Sequence, residues 1–331
     1  MLYRQLGHSD LSVSVLSFGA WQIGDPDFWG KETESKPEDT VAAAIDAGIN
    51  LFDTAELYGD GNSEVALGKA LQGKRDDVYI ASKVSTDHCT PEGVREACEA
   101  SLQRLGTSWI DLYQIHWPFE KFAYADVYAE LEKLKQEGKI RHIGISNFGP
   151  CDMDAWMNEG SAVSNQIGYN LLFRAPEYEM IPACRRHGLG VLTYMPLMQG
   201  LLTGRYSSIA EIPMPRRRTR HFAGTREGTR HGLPGHEEVL MDTVEDLFDF
   251  SEAIGVPMAV LCLCWLIAQP GVSSVILGAR NPEQLQQNLL AGDLDIGPAA
   301  IAQLNEFTFP LKVELGDSCD MWESEENSRI H

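Results

Sequence analysis

The chain has 331 residues, 44% hydrophobic and 23% charged, with 27 basic against 48 acidic side chains and a formal net charge of −21. That composition describes one large globular domain or two of ordinary size, long enough to bury a core without disulfide or metal staples. The acidic excess excludes a nucleic-acid partner, whose phosphates it would repel, so an anionic ligand must meet a local basic or amide-rich pocket.

In chain order, 3–6 and 11–13 read as an antiparallel hairpin turning through Gly7-His8-Ser9-Asp10. A strand at 15–18 and a helix at 38–47 follow, then strand 49–52 with helix 63–71, and strand 78–81 with helix 91–105. The alternation continues through strand 110–115 with helix 125–137, strand 140–145 with helix 151–158, and strand 162–166 with helix 177–187. Strand 190–194 comes next, then helix 258–268, strand 272–277 and helix 282–290. Pro91 and Pro282 suit a first helical turn, and Gly48, Gly106, Gly138 and Gly188 suit helix ends.

Short apolar strands, each followed by a helix, imply a parallel sheet covered on its faces. Eight such units predict an α/β fold of the (β/α)8 TIM-barrel type, one domain spanning 1–331, with the hairpin at 1–14 closing the barrel floor. An open doubly wound sheet would carry a G-x-G-x-x-G turn after its first strand, and none follows Phe18. The exception to regularity is 201–235, a long loop after strand seven rich in Gly, Pro and Arg; loops of that length are usually functional or disordered. The acidic tail at 311–331 reads as a surface segment in which Met321 and Trp322 find some packing.

No charge occurs between Gly255 and Ala279, but Gln269-Pro270-Gly271 splits the run into a helix and a strand, which predicts buried core and no membrane span. The start of the chain lacks the apolar core of a signal peptide. Seven scattered cysteines without a C-x-x-C pair read as free thiols, and Cys262 and Cys264 as inert core residues, so the expected compartment is the cytoplasm.

A barrel of this kind places its chemistry at the C-terminal ends of the strands. There the sequence sets Asp53 and Tyr58 after strand two, Lys83 at the end of strand three and His116 at the end of strand four. Reducing a carbonyl takes hydride on carbon and a proton on oxygen. Tyrosine is a weak acid with an ordinary pKa near ~10. A neighbouring Lys83 ammonium is expected to lower that value, with Asp53 fixing the lysine and His116 orienting the carbonyl oxygen. Taken singly, Asp53 and Lys83 read equally as a structural ion pair and His116 as a core histidine; their arrival at successive strand ends favours the catalytic reading.

The chain resembles the aldo-keto reductases. The matching segments are GINLFDTAELYG at 48–59, Ser63-Glu64 with Leu67-Gly68, Ser82-Lys83, DLYQIHWP at 111–118, GISNF at 144–148, Gln166, YMPL at 194–197, GLLTG at 200–204 and VILGAR at 275–280. They cover nearly the whole chain in order; each is weak alone and specific as a set. The resemblance implies a catalytic tetrad of Asp53, Tyr58, Lys83 and His116. It further implies that Ser146, Asn147 and Gln166 hold a nicotinamide carboxamide and that Tyr194 stacks on the ring. Pro196, Leu197, Gly200, Leu202, Gly204 and Arg205 would follow the pyrophosphate. Gly278, Ala279 and Arg280 would take a phosphate, and Gln284, Gln287 and Asn288 the adenosine end.

Positions 284 and 287 hold Gln where many relatives carry Arg and Glu, and Met195 stands in for a frequent Ser. Arg280 can supply the missing charge at a 2′-phosphate, which favours NADP(H), with NAD(H) as the alternative. The long loop and the ending Asp320-Met321-Trp322…Asn327-Ser328-Arg329-Ile330 resemble a bacterial-type branch acting on small aldehydes or sugar-derived carbonyls.

Trp21, Trp29 and Trp117 are candidate substrate-pocket residues, with Phe119 and Phe222 divided between pocket and core. Arg216-Arg217-Arg218 with Arg220 reads as a solvated loop face, or as a clamp on an anion. His221, His231 and His236 lack metal-site spacing, so no metal is expected. The expected partner is a small carbonyl compound, with no nucleic acid, membrane or obligate protein. The alternative function is a cofactor-binding, redox-sensing regulatory subunit with little turnover, like the potassium-channel β subunits. A metal-dependent hydrolase would need clustered ligands at the strand ends, where the sequence places only His116.

Overall fold

Strands apolar on both faces must be covered on both, and the chain satisfies this by closing its sheet. The computed structural model describes residues 1–29 and 36–331. A hairpin of β1 (Tyr3–Gln5) and β2 (Ser12–Ser14) precedes eight strands: β3 (Leu16–Gly19), β4 (Leu51–Asp53), β5 (Tyr79–Val84), β6 (Ile110–Ile115), β7 (Ile140–Ser146), β8 (Ser164–Gly168), β9 (Gly190–Tyr194) and β10 (Val272–Leu277). These eight pair in parallel, each with the next, and β10 returns beside β3 to close the barrel. The sequence-based (β/α)8 expectation matches this architecture.

Outside the strands lie α1 (Trp21–Gly24), α2 (Pro26–Trp29), α3 (Pro37–Asp46), α4 (Asn62–Ala70), α5 (Pro91–Leu105), α6 (Tyr124–Gln136), α7 (Pro150–Glu159) and α8 (Met180–Arg186). They are followed by α9 (Glu237–Ile254), α10 (Met258–Ala268), α11 (Pro282–Leu289) and α12 (Gly297–Leu315). Pro91 and Pro282 open their helices, with the Thr90 and Asn281 side chains capping the first turns.

A separate hydrophobic cluster joins Leu51, Ala81, Leu112, Leu192 and Ile276 of the barrel strands to Leu6, Leu11 and Val13 of the hairpin segment. The hairpin thus stoppers the N-terminal end of the barrel. Its turn depends on Gly7, which has φ +55° and lies so close to the strands that a Cβ would sit 2.1 Å from the Val163 carbonyl oxygen.

The uncharged 255–279 run is core, as expected: α10 is buried along nearly its whole length. Among the described residues no single helix is long and apolar enough to cross a membrane; α9 and α10 pass that test only together and are bent by 98°.

Three expectations need correction. Helices α9 and α12, which have no counterpart among the predicted elements, pack on each other outside the regular alternation. The α9 signal is present in the sequence, since Leu240, Thr243, Val244, Leu247 and Ser251 form one buried face, but the seven acidic residues of the helix mask it. The tail does not begin at 311, because 311–315 complete α12. Nor is the tail a surface segment. After Gly316 it folds back over the barrel mouth with Asp320 and Met321 buried.

Candidate active site

Asp53 ends β4, Lys83 lies within β5, and His116 follows β6, so strand geometry alone delivers three side chains to one rim. Tyr58 arrives from the turn after β4, where Gly59 at φ +57° passes so close to α1 that a Cβ would meet the Gly24 carbonyl at 2.5 Å. Lys83 is fully enclosed. Its Nζ donates to Asp53 Oδ1 at 2.7 Å, the Thr54 carbonyl at 2.9 Å and the Tyr58 hydroxyl at 3.2 Å. All three ammonium hydrogens thus have acceptors, which offsets the cost of burying the charge.

The electrostatics differ from the expectation in one respect. Burial raises the Tyr58 phenol above its ordinary value, and the opposing pull of Lys83 does not overcome it. Tyr58 therefore holds its proton at neutral pH. Burial alone would lower Lys83, yet Asp53 and Tyr58 bring its net shift upward, so the ammonium stays charged. Burial, aided by Lys83 and Arg329, holds the His116 imidazole well below its usual range and hence neutral. His116 stands edge-on to Tyr58 with ring centroids 5.8 Å apart, and its buried Nδ1 has no partner among the described residues.

The tetrad opens into a cavity of about 920 Å³ over the barrel mouth. Asp53, Tyr58 and His116 face it, as do Ser146, Asn147, Gln166, Tyr194, Pro196, Leu197, Gly200, Arg205, Gly278, Arg280, Gln284, Gln287 and Asn288. Lys83 lies behind Tyr58. Leu202, Gly204 and Ala279 do not line the cavity; Leu202 and Ala279 are wholly buried behind it.

Several of the polar groups are prearranged by each other. Gln166 Nε2 donates to Asp53 Oδ2 at 2.7 Å, and Ser146 Oγ donates to the Gln166 carbonyl at 2.9 Å. Asn147, held at φ +63°, accepts from the Tyr194 hydroxyl at 2.7 Å and donates to the His116 carbonyl at 3.0 Å. A residue type that tolerates the left-handed region is required there.

Trp21, Trp29 and Trp117 all line the cavity, whereas Phe119 and Phe222 are buried away from it. Trp21 stacks on Tyr58 at 5.1 Å and 16° and meets Trp29 edge-on. The long loop crosses the mouth in short 3-10 turns, bringing in Arg216, Arg218 and Arg230. Arg216 and Arg218 are therefore lining residues and not a solvated face. Arg220 is buried and ties down the tail. The sequence reading missed Gln22, the Pro257–Val260 start of α10, Trp322 and Arg329, all of which reach the cavity. For the last two a signal existed: they are an aromatic and a cation in an otherwise acidic tail. Among the described residues no three His, Cys, Asp or Glu side chains cluster as a metal site.

Among the described residues the lining holds six arginines but a single carboxylate, Asp53, in a chain of net charge −21. The buried Nε of Arg218 has no partner among the described residues. A phosphate-rich dinucleotide fits such a donor set.

Comparison with known proteins bears on the same site. The model of the aldo/keto reductase family matches residues 15–308. The NADH-specific methylglyoxal reductase of Escherichia coli is 32% identical over 93% of this chain and 98% of its own. A putative voltage-gated potassium channel subunit beta from Schizosaccharomyces pombe is 30% identical over 94% and 95%. The crystal structure of an aldo-keto reductase from Klebsiella pneumoniae in complex with NADPH superposes with a TM-score of 0.72 at 29% identity, covering 100% of this chain and 99% of that one.

Proposed function

The chain belongs to the aldo/keto reductase family, and from that premise we propose that it reduces a small aldehyde or ketone to the alcohol, with NADP(H) as cofactor and Tyr58 as the proton donor. The observation that carries this reading is the Asp53–Lys83–Tyr58 chain of hydrogen bonds at the cavity floor, beside a neutral His116.

The reduced nicotinamide, when bound, supplies the hydride. Tyr58 holds its proton until the carbonyl oxygen gains negative charge, and Lys83 then stabilises the phenolate that remains. Asp53 keeps Lys83 charged and in place. A neutral His116 donates a hydrogen bond to the same oxygen without adding a second positive charge.

Ser146, Asn147, Gln166 and Tyr194 are suited to the nicotinamide end, with the side-chain amide oxygen of Gln166 available to an amide donor. Pro196, Leu197, Gly200 and Arg205 are suited to the pyrophosphate, with Leu202 and Gly204 shaping that loop from behind. Gly278, Arg280, Gln284, Gln287 and Asn288 are suited to the adenosine end, where the Asn281 side chain caps α11 by accepting from the Gln284 amide. Ala279 acts there through its backbone. Arg280 favours NADP(H); NAD(H) is the alternative, and the Escherichia coli relative is named as NADH-specific. Trp21, Trp29 and Trp117 would form the substrate wall. Small aldehydes or sugar-derived carbonyls suit it, since two relatives are named methylglyoxal reductases. Seven unpaired cysteines suit a reducing compartment such as the cytoplasm.

The test is NADPH oxidation with a panel of aldehydes, ketones and sugars, comparing the native chain with Tyr58→Phe. Turnover should fall by about 10²–10⁴-fold in the variant while NADPH still binds. Undiminished turnover would remove Tyr58 from the reaction. The likeness to a potassium-channel β subunit supports a second reading, in which the protein holds cofactor as a redox sensor. Tight NADPH binding with no turnover on any carbonyl would select it.

A further inference from the structure

The six arginines of the cavity are not one group. Arg205, Arg216, Arg218, Arg230 and Arg280 come from the long loop and the segment leading into α11. Arg329 comes from the tail and sits elsewhere, its guanidinium 3.7 Å from the ring centre of Trp117, the residue directly after His116. It is the tail's own cation at the reacting end.

Arg329 is held there by a buried partner. Its Nε and Nη2 donate to the two carboxylate oxygens of Asp320 at 3.0 and 3.1 Å, a bidentate pair. Asp320 is fully enclosed, while the Arg329 side chain keeps 34% of its surface exposed. Its third nitrogen, Nη1, has no partner among the described residues and belongs to a side chain that lines the cavity.

Asp320 engages two of the three guanidinium nitrogens of Arg329 and leaves the third open. Arg220 packs on the same turn, donating to the carbonyls of Asp320, Ser318 and Leu315. The field of Arg329 reaches the reacting groups, since it helps hold His116 neutral. A structural clamp alone would not need an arginine that lines the cavity against Trp117, one residue from His116.

We propose that the substrate is an oxo-carboxylate, and that Arg329 receives its carboxylate while the carbonyl lies against Tyr58 and His116. This rests on the reductase reading above. One open amino group can meet a carboxylate, whereas a phosphate group brings about two charges and calls for more donors than that. The carboxylate takes no part in bond making. The carbonyl carbon gains the hydride of the reduced nicotinamide, its oxygen gains the Tyr58 proton, and solvent returns a proton to Tyr58.

The experiment compares short ω-oxo carboxylates with their own amides, which match them in size and carbonyl but lack the charge. The native enzyme should prefer the acid by about tenfold to a hundredfold in kcat/KM, the worth of a charge-assisted hydrogen bond. In Arg329→Gln that ratio should fall towards one, and Arg329→Lys should restore part of it. In Arg205→Gln the ratio should persist while the KM for NADPH rises. A readout without turnover comes from quenching of tryptophan fluorescence by benzoate and benzamide, with the preference for benzoate lost in Arg329→Gln. Equal turnover of acids and amides by the native enzyme would overturn the proposal and leave the reductase standing. A preference that survives in Arg329→Gln would also overturn it. No turnover of any carbonyl is a different result, the failure of the reductase reading itself. Should Arg329→Gln not fold, the native acid-to-amide ratio and the benzoate titration still decide the matter.

Discussion

His221 shows what one enclosed titratable group does to the chain. Burial pushes its imidazole down to about 3, and both ring nitrogens are engaged, Nε2 with the Leu172 carbonyl at 2.8 Å and Nδ1 with Thr219 Oγ1 at 3.0 Å. A neutral ring that donates from Nε2 and accepts at Nδ1 satisfies both. The unfolded chain binds this proton near pH 6.5 and the folded chain does not, so the unfolded state carries more protons between pH 6.5 and about 3. Stability is complete above 6.5 and falls on acidification through that window, by about 1.4 kcal/mol per pH unit for this group. His116 is depressed by the same cause and acts in the same direction. We expect the Tm of the native protein to drop steadily below pH 6.5, and His221→Gln to start lower but decline less steeply. An unchanged slope in the variant would mean that other groups dominate the acid limb.

At the scale of elements, the tail is held at its start by one buried side chain. Arg220 donates from its guanidinium to two tail carbonyls and to that of Leu315 at the end of α12, and its backbone amide donates to the Met321 carbonyl at 2.8 Å. Those bonds carry Trp322 and Arg329 to the cavity. Arg220→Met keeps the stem but leaves three carbonyls without their donor, at a cost on the order of 1–3 kcal/mol for each that stays dry. We expect the tail to detach before the barrel unfolds. Proteolytic cleavage within 316–331 should then accelerate while the main thermal transition moves little. A tail as protected as in the native chain would show that Met321 packing, the Arg230–Glu323 pair and the His331–Asp152 bonds retain it without Arg220. The barrel strands need no such device, since each is fixed by two neighbours.

For the molecule as a whole, a chain of net charge −21 encloses a cavity whose described lining holds six arginines and one carboxylate. Salt acts on the two in opposite senses. It screens the self-repulsion of the acidic exterior, which favours the compact state, and it screens the attraction between the arginines and an anionic dinucleotide. Raising NaCl from about 0.05 to about 0.5 M should therefore raise the Tm of the unliganded protein. Over the same range the Kd for NADPH should weaken by about tenfold or more, read by fluorescence titration. A Kd indifferent to salt would argue that the arginines serve the fold and not the ligand.

Much of this was legible because it is periodic or local. Eight apolar strands alternating with helices dictate a closed parallel barrel, and a closed barrel puts Asp53, Lys83 and His116 on one rim whatever the loops do. What the linear order does not contain is the sum of burial and charge at a point. Tyr58 lies beside a lysine, from which a lowered phenol follows, yet enclosure outweighs the lysine and the shift runs upward. The arginines of the long loop read either as a solvated face or as an anion clamp because nothing in the chain says which way a loop turns, and Arg329 reads as tail because its partners, Trp117 and Asp320, are met only when the C-terminal segment crosses the barrel mouth. The barrel and its rim follow from repeating patterns that each strand and helix satisfies locally. Which charges face the cavity and which way each proton leans follow from the folded arrangement, because those depend on contacts between residues up to hundreds of positions apart.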